Sequence, residues 1–276
     1  MILMPRYYSQ HGEDCLLWTF FGERVNGFYV DVGAFDGRYV SNTYAFEQMG
    51  WHGICVEPHP VSFKILRELR TAICVNAACV PDPTTQHATL YMEKLGYLSG
   101  LQGEREDDVN RRYEKRGLTF DGFDTVDVPA MTLDRILSEN VPGGKPIPID
   151  FLSVDVEGTE LDVLRGLDLN AWRPRVLLIE TNTPAAWEAM SGYLSGFGYS
   201  LARRLAVNSL YVRDPRDVER IQSISVKCWI EPTPHPFGAE LTPQQHVTGY
   251  QVNVPAEVKP VRKSRLRRLI HRLFGK

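Results

Sequence analysis

The stretch that decides the fold is residues 28–37, FYVDVGAFDG. A short apolar run carrying one acid, Asp31, ends at Gly33, which is typical of a buried strand that enters a tight turn. Gly33 tolerates dihedral angles that a side chain would forbid, and small residues let a ligand approach the backbone. The DxGxxxG spacing differs from the GxGxxG of dinucleotide-binding loops. It better suits a ligand with an amino-acid end and a nucleoside end.

After this first strand, predicted helices and strands alternate along the chain. Residues 53–58 and 72–80 are predicted strands, and residues 43–49 and 62–69 are predicted helices. We also expect Ser41 to cap the first of these helices. The alternation predicts a parallel sheet with crossover helices.

The same patterns extend to residue 212. Further strands are predicted at 86–93, 126–132, 150–158 and 175–181, with a closing antiparallel pair at 199–204 and 209–212. Further helices are predicted at 133–139, 160–167 and 185–197, and 96–124 is predicted to be a long surface loop with a helical patch. The chain as a whole divides into three predicted segments. They are a domain at 1–215 with an N-terminal cap segment, an appendage of unassigned fold at 216–258, and a basic tail at 259–276.

Composition and charge limit the partners. Hydrophobic residues make up 43% of the chain and charged residues 24%, which is globular and excludes a disordered protein. The five cysteines include no CxxC pair, so we expect reduced thiols in a cytoplasmic protein and no zinc site. Residues 1–258 carry 23 basic and 34 acidic residues. An acidic body argues against a nucleic-acid partner, because phosphate binding needs a basic face.

The tail differs from the body. Residues 259–276 carry eight Lys or Arg and no acid. Large apolar residues recur at helical spacing at Leu266, Leu269, Ile270, Leu273 and Phe274. A basic amphipathic helix of this kind predicts peripheral contact with an anionic membrane at its cytoplasmic face. The alternatives are a tail that docks onto the acidic body and a solvated tail.

An acid, Glu57, ends the second predicted strand. At the topological switch point of such a sheet, a carboxylate can accept hydrogen bonds from a ribose diol. The alternative is a strand-end acid that faces solvent. The glycine loop and Glu57 together predict a nucleoside cofactor, and on these two features NAD remains open.

Two further acids, Asp155 and Glu157, follow the predicted strand at 150–158. Side chains at i and i+2 of a strand point to the same face. Carboxylates after an apolar strand are costly unless they bind something. The alternative is that they cap the N-terminus of the helix predicted at 160–167.

Taken together, these pieces resemble the FkbM family of S-adenosylmethionine-dependent methyltransferases. The matching segments, in the family's order and spacing, are SQHGED (9–14), FYVDVGAFDGRYVSNT (28–43), GWHGICVEPHP (50–60), TLD (132–134), IDFLSVDVEGTELDVLRG (149–166) and LLIE (177–180). They cover roughly residues 8–212, and residues 216–276 fall outside the resemblance.

The resemblance implies a fold and a reaction. The fold is α/β, a Rossmann-like class I methyltransferase with a mostly parallel seven-stranded sheet, a terminal antiparallel strand and helices on both faces. The cofactor is S-adenosylmethionine, and the acceptor is a hydroxyl of a sugar, glycan or natural product. A nicotinamide-dependent oxidoreductase and a non-catalytic S-adenosylmethionine-binding protein are the alternatives.

The resemblance also assigns residues to the cofactor. The expected cofactor-binding residues are Asp31, Gly33, Ala34, Asp36, Ser41, Asn42, Thr43, Glu57, Pro58, Asn76, Ala77 and Asp155. Among them, Glu57 would take the ribose hydroxyls and Asn76 and Ala77 would flank the adenine. Asp155 would lie near the methyl-transfer centre, with Glu157 facing the acceptor.

A hydroxyl acceptor needs a base or a metal. The expected catalytic residues are Asp155, Glu157 and His59, with His11 a further candidate, and the carboxylates are preferred to the histidines. The alternatives are a solvent-facing loop for His59 and a helix-capping segment for His11. Asp155, Glu157 and Glu180 also offer oxygen ligands for Mg²⁺, and the sequence leaves metal dependence and oligomeric state open.

Overall fold

The structure is a computed structural model that describes residues 5–93, 96, 98–102, 106–114, 117 and 119–237. The basic tail at 259–276 and the appendage beyond residue 237 lie outside the described residues.

The described strands and helices follow the predicted alternation. The strands are β1 (Phe28–Val32), β2 (His52–Val56), β3 (Ile73–Val75), β4 (Ala78–Cys79), β5 (His87–Met92), β6 (Asp124–Met131), β7 (Phe151–Val154), β8 (Val176–Glu180), β9 (Ser200–Leu205) and β10 (Asn208–Val212). The helices are α1 (Glu13–Phe20), α2 (Tyr44–Gln48), α3 (Pro60–Leu69), α4 (Glu106–Glu114), α5 (Leu133–Asn140), α6 (Glu160–Arg165), α7 (Pro184–Ser195) and α8 (Pro215–Ser223), with a 3₁₀ turn at Pro142–Gly144.

Seven strands form the main sheet, in the order β3-β2-β1-β7-β8-β10-β9. The strands β1, β2, β3, β7 and β8 are parallel, whereas β10 runs antiparallel to both β8 and β9. This confirms the predicted mostly parallel sheet with a terminal antiparallel strand. The carboxyl ends of β1, β2, β7 and β8 therefore meet at one edge.

Alternating side chains of β1 feed two hydrophobic cores, one on each face of the sheet. Val30 and Val32 pack with the buried faces of α5, α6 and α7. Tyr29 points the other way and packs with α1, α2, α3 and α8. Helices thus cover both faces, as the sequence predicted, and only the edges of the sheet remain for a ligand.

The prediction of one strand at 72–80 is wrong. The chain leaves the main sheet at Asn76, whose Nδ2 donates to the carbonyl oxygens of Glu57 (2.8 Å) and Pro58 (3.1 Å). β4 then pairs with β6, which also pairs with β5, in a separate three-stranded sheet. The local pattern could not show this break, because the carbonyl oxygens that Asn76 binds belong to the end of another strand, β2.

The described part of the predicted appendage packs onto the domain. In α8, Ile221 is fully buried and Asp217 accepts two hydrogen bonds of 2.8 Å from Arg175. Beyond α8 the chain returns to the N-terminus, where Ile230 forms a bridge with Tyr7. Residues 228–233, here called the strap, therefore lie beside the N-terminal segment. All five cysteines are free.

Candidate active site

A cavity of about 660 Å³ opens at the carboxyl edge of the main sheet. Its size suits a small organic ligand, and such crevices are the usual ligand sites of open α/β sheets. The predicted cofactor residues that line it are Asp31, Gly33, Ala34, Ser41, Asn42, Glu57, Pro58, Ala77 and Asp155. The acids Glu157 and Glu180 line it too. The sequence thus placed most of its candidates around one space.

The turn after β1 requires glycine. Gly33 has φ of +86°, and a Cβ built there would lie 1.6 Å from the carbonyl oxygen of Asp155. The backbone therefore passes directly against the turn after β7. Phe35 and Val40 also have left-handed φ values of 48° and 46°. Strained dihedrals of this kind cluster at ligand sites, and all three residues line the cavity.

Asp31 lies buried at the base of this loop. Its Oδ2 accepts a 2.5 Å hydrogen bond from the Thr43 hydroxyl. Burial raises the pKa of Asp31, while the nearby Arg70 guanidinium opposes the shift. Beside it, Asn42 donates from Nδ2 to the Ser153 hydroxyl at 3.1 Å. The loop and the strand ends are thus tied by side chains.

Arg70, which the sequence analysis missed, supports the loop from below. Its buried guanidinium donates to Glu47 Oε2 (2.8 Å), the Gly37 carbonyl (2.9 Å), the Tyr29 hydroxyl (2.7 Å) and Thr43 Oγ1 (2.9 Å). Burial alone would raise the pKa of Glu47, but Arg70 holds it below its usual value. Nothing in the sequence pointed to this pair, because 23 residues separate the two partners.

Glu57 has both carboxylate oxygens engaged by the backbone. Oε2 accepts from the amide of Phe35 (2.8 Å) and Oε1 from the amide of His59 (2.7 Å). Burial raises the pKa of Glu57 to about 7, although the two amides favour the ionised form. The carboxylate is thereby fixed in orientation on the cavity wall, and each oxygen keeps the capacity to accept a further hydrogen bond.

Three predicted cofactor residues do not line the cavity. Asp36 Oδ1 accepts from the amides of Arg38 (2.9 Å) and Tyr39 (2.7 Å), so it shapes the loop. Thr43 lies beneath the loop between Asp31 and Arg70, and Asn76 holds the break between β3 and β4. Each has a structural partner that accounts for its position.

His59 lies outside the cavity lining as well. Its ring caps α3, with Nδ1 accepting from the Ser62 amide at 3.2 Å, and burial lowers its pKa. The residue is 7% exposed, so the alternative of a solvent-facing loop is wrong. Because Nδ1 is occupied by the helix start, we leave His59 out of the proposed catalytic set.

The second half of the cavity edge holds three carboxylates. Single oxygen atoms of Asp155, Glu157 and Glu180 all lie within 4.8 Å of one another. Burial and the neighbouring Glu180 raise the pKa of Asp155 well above its usual value. Burial, with the charge of Glu157 nearby, raises the pKa of Glu180 to about 8. Such groups are suited to accept or share a proton near neutral pH.

The turn that carries Glu157 is held independently of that side chain. Glu157 has φ of +57° and Gly158 φ of +112°. Glu160 Oε1 fixes the turn by accepting from the amides of Val156 (3.2 Å) and Gly158 (2.8 Å). Among the described residues no side chain caps the start of α6, so the alternative that Asp155 and Glu157 cap this helix is wrong. Glu157 instead lines the cavity, with Arg112 Nη1 at 3.9 Å from its Oε2.

Two segments close the cavity from above. Tyr8, Ser9, Gln10 and His11 line one wall, and the strap lines another. Asp14 anchors the first segment, since it accepts from the Ser9 hydroxyl at 2.6 Å. This is the expected capping arrangement at α1. The strap was missed, although large apolar residues in a proline-rich stretch (WIEPTP, 229–234) were an available signal.

The comparisons with known proteins agree on one class. The family model described as the methyltransferase FkbM domain matches residues 31–201. Methyltransferase sdnD of Sordaria araneosa is 32% identical over 180 residues, which cover 58% of this chain and 68% of the relative.

Two solved structures are also similar. A precorrin-6y C5,15-methyltransferase from Geobacter metallireducens has 11% identity and a TM-score of 0.37, covering 72% of this chain and 84% of the other. A putative RNA methyltransferase from Pyrococcus horikoshii has 10% identity and a TM-score of 0.35, covering 72% and 79%.

The strand order, with β10 inserted antiparallel between β8 and β9, and the site at the carboxyl edge define a Rossmann-like methyltransferase. With the family match over residues 31–201, the chain belongs to the FkbM methyltransferase family.

Proposed function

We propose that the protein is an S-adenosylmethionine-dependent O-methyltransferase that acts on a hydroxyl of a sugar, glycan or natural product. One observation carries the proposal. One cavity is lined both by Glu57, whose carboxylate is fixed at the end of β2, and by the cluster of carboxylates at the ends of β7 and β8. The first suits a ribose, and the second suits proton removal from an acceptor.

The loop after β1 would hold the methionine end of the cofactor. Gly33 and Ala34 expose backbone to the cavity, and Ser41 and Asn42 line it with polar side chains. Glu57 would accept hydrogen bonds from the ribose diol, and Ala77, where the chain crosses to the small sheet, would lie against the adenine.

When bound, S-adenosylmethionine supplies an activated methyl group on a sulfonium. The protein must align the acceptor oxygen with that methyl and remove the hydroxyl proton. Asp155 and Glu157 line the cavity, where either carboxylate would accept the proton that the acceptor hydroxyl loses. The acidic body supports a small-molecule or glycan acceptor over nucleic acid.

Calorimetric titration tests the cofactor assignment. S-adenosylmethionine and NAD are titrated separately into the full chain, and the purified protein is analysed by mass spectrometry for bound ligand. We expect S-adenosylmethionine to bind and NAD to bind at least tenfold more weakly. Tighter binding of NAD would instead support the oxidoreductase alternative. Turnover is then measured with a panel of hydroxylated sugars and natural products.

We also propose that the enzyme works in the cytoplasm and contacts an anionic membrane through residues 259–276. Five free thiols support a reducing compartment. Among the described residues, no helix is long and apolar enough to span a bilayer. The eight basic residues of the tail would each contribute about 1 kcal/mol at an anionic surface.

Co-sedimentation with vesicles tests the tail. The full chain should bind anionic vesicles more than a chain that ends at Val258, and salt should weaken this binding. Neutral vesicles are the control for charge. Equal binding of the two chains to anionic vesicles would show that the tail is not an anchor.

A further inference from the structure

The carboxylates at the ends of β7 and β8 are brought together by strand register. Val154 pairs with Ile179 in the parallel ladder, so the next residues, Asp155 and Glu180, are neighbours at the sheet edge. Glu157 joins them from the turn that Glu160 holds. One oxygen from each of the three acids lies within 4.8 Å of the others. The strand register and the turn therefore bring the three side chains to one place at the sheet edge.

The buried acids elsewhere at this edge have protein partners. Glu57 accepts from two backbone amides, and so does Asp36. Asp31 accepts from the Thr43 hydroxyl. These hydrogen bonds account for the burial of each carboxylate.

Glu180 is different, because its carboxyl group hydrogen-bonds to the side chains of Asp155 and Asn182 and still keeps one oxygen without a partner in the described chain. It is 9% exposed, and its Oε2 has no hydrogen-bond partner among the residues that the structure describes. This oxygen belongs to a carboxylate that lines the cavity beside two others. A buried polar atom without a partner is costly, so its persistence points to a ligand that the chain itself does not supply.

We propose that Asp155, Glu157 and Glu180 bind a divalent cation of the Mg²⁺ or Mn²⁺ type on the acceptor side of the cavity. The cluster contains carboxylate oxygens and neither histidine nor cysteine, which favours a hard cation over zinc. Arg112 Nη1, from α4, lies 3.9 Å from Glu157 Oε2, whereas Asp155 and Glu180 come from the strand ends of β7 and β8.

A cation at this position gives the acceptor an anchor. The open coordination positions of a hard cation are filled by water or by ligand oxygens, and a vicinal diol of a sugar supplies two of them. Coordination would lower the pKa of the acceptor hydroxyl and hold its oxygen at the methyl group. This role in methyl transfer rests on the proposed function, whereas the binding of the cation does not.

The test measures Mn²⁺ binding directly, by electron paramagnetic resonance of free Mn²⁺ and by calorimetry, on the full chain without cofactor or acceptor. We expect one Mn²⁺ per chain, displaced by Mg²⁺. Glu180→Gln should weaken Mn²⁺ binding about tenfold or more, because the charge count of the ligands sets affinity. Glu188→Gln, an exposed acid of α7 with the same change of charge, should bind as the unaltered protein does.

Two controls keep the outcomes separate. Glu157→Gln is measured in parallel, and the melting temperature of each variant shows whether it is folded. Absence of Mn²⁺ binding up to millimolar concentration overturns the proposal. So does Mn²⁺ binding by folded Glu180→Gln and Glu157→Gln that is as tight as that of the unaltered protein. S-adenosylmethionine titrations on the same samples test the proposed function, so a protein that binds Mn²⁺ and no S-adenosylmethionine would refute only the latter.

Discussion

The two halves of the cavity edge treat buried acids in opposite ways. At the ends of β1 and β2, Asp31 and Glu57 accept hydrogen bonds from a hydroxyl and from backbone amides. At the ends of β7 and β8, Asp155 and Glu180 lie against each other and Glu180 keeps an oxygen without a partner in the described chain. The acids of the first half have donors within the protein, whereas the second half keeps a carboxylate oxygen that no described residue reaches.

The difference agrees with the roles that the proposed function gives to the two halves. A cofactor that only needs to be held is best met by groups fixed in advance, because fixed groups lose no further entropy on binding. A reaction centre needs groups that change protonation or ligation during turnover, so full satisfaction within the protein would leave them inert. Four experiments test this contrast.

The largest effect is expected at Arg70, which supports the loop after β1. Arg70→Met leaves Glu47 buried without its cation and removes hydrogen bonds to Tyr29 and Thr43. Because breaking one partner of a buried pair is costly, the free energy of unfolding should fall by about 3–5 kcal/mol. Urea denaturation measures it. Arg67→Met, exposed on α3, is the control and should change stability by about 0.5 kcal/mol or less.

The next largest effect is expected in the carboxylate cluster at the ends of β7 and β8. Asp155→Asn and Glu157→Gln should each reduce kcat/KM by about 100-fold or more, the usual cost of losing a general base. Both should keep or slightly raise the melting temperature, since neutralising one acid relieves repulsion in the cluster. Asp162→Asn, on α6 outside the cavity lining, is the matched control. Near-normal turnover in both cluster variants would mean that these acids only shape the turn.

A smaller effect is expected on cofactor affinity. Glu57→Ala removes the carboxylate proposed to bind the ribose, so S-adenosylmethionine should bind about 1–3 kcal/mol more weakly, as for the loss of hydrogen bonds to a charged group. Calorimetry gives the affinity, and Glu68→Ala, exposed on α3, controls for charge. Unchanged affinity in Glu57→Ala would remove this residue from the ribose site.

The smallest effect is a pH dependence of stability. Burial raises the pKa of Glu57 from 4.5 to about 7, so the folded protein binds this proton more tightly than the unfolded chain. Its contribution is complete below about pH 4.5 and is lost as the pH rises through 7. Between pH 5 and pH 8, Glu57→Gln should therefore lose about 2–3 kcal/mol less stability than the unaltered protein. Parallel pH curves in urea would show that Glu57 ionises normally in the fold.

Much of the fold was predictable because it depends on local patterns. The apolar runs of β1, β2, β7 and β8 and the helices between them require a parallel sheet, and parallel strands bring their carboxyl ends to one edge. For that reason the sequence alone predicts that Asp31, Gly33, Glu57 and Asp155 lie near one another, and all four line the cavity.

Other features depend on contacts between distant parts of the chain. No periodicity could reveal that Asn76 ends β3 by bonding the carbonyl of Glu57, or that His59 caps α3 instead of facing the cavity. The strap reaches the cavity because Ile230 bridges to Tyr7, more than two hundred residues away along the chain.

The sequence by itself determined the class of fold, the methyltransferase family and the strand ends that carry the site, since these follow from hydrophobic period and from motifs whose spacing is local. Which buried acids have a hydrogen-bond donor for each oxygen, and which do not, depends on the tertiary structure. That property depends on the donors within hydrogen-bonding distance of each carboxylate. Those donors are supplied by whichever segments the fold brings there, as Arg70 and Thr43 are brought to the loop after β1 and none is brought to Glu180 Oε2 within the described chain.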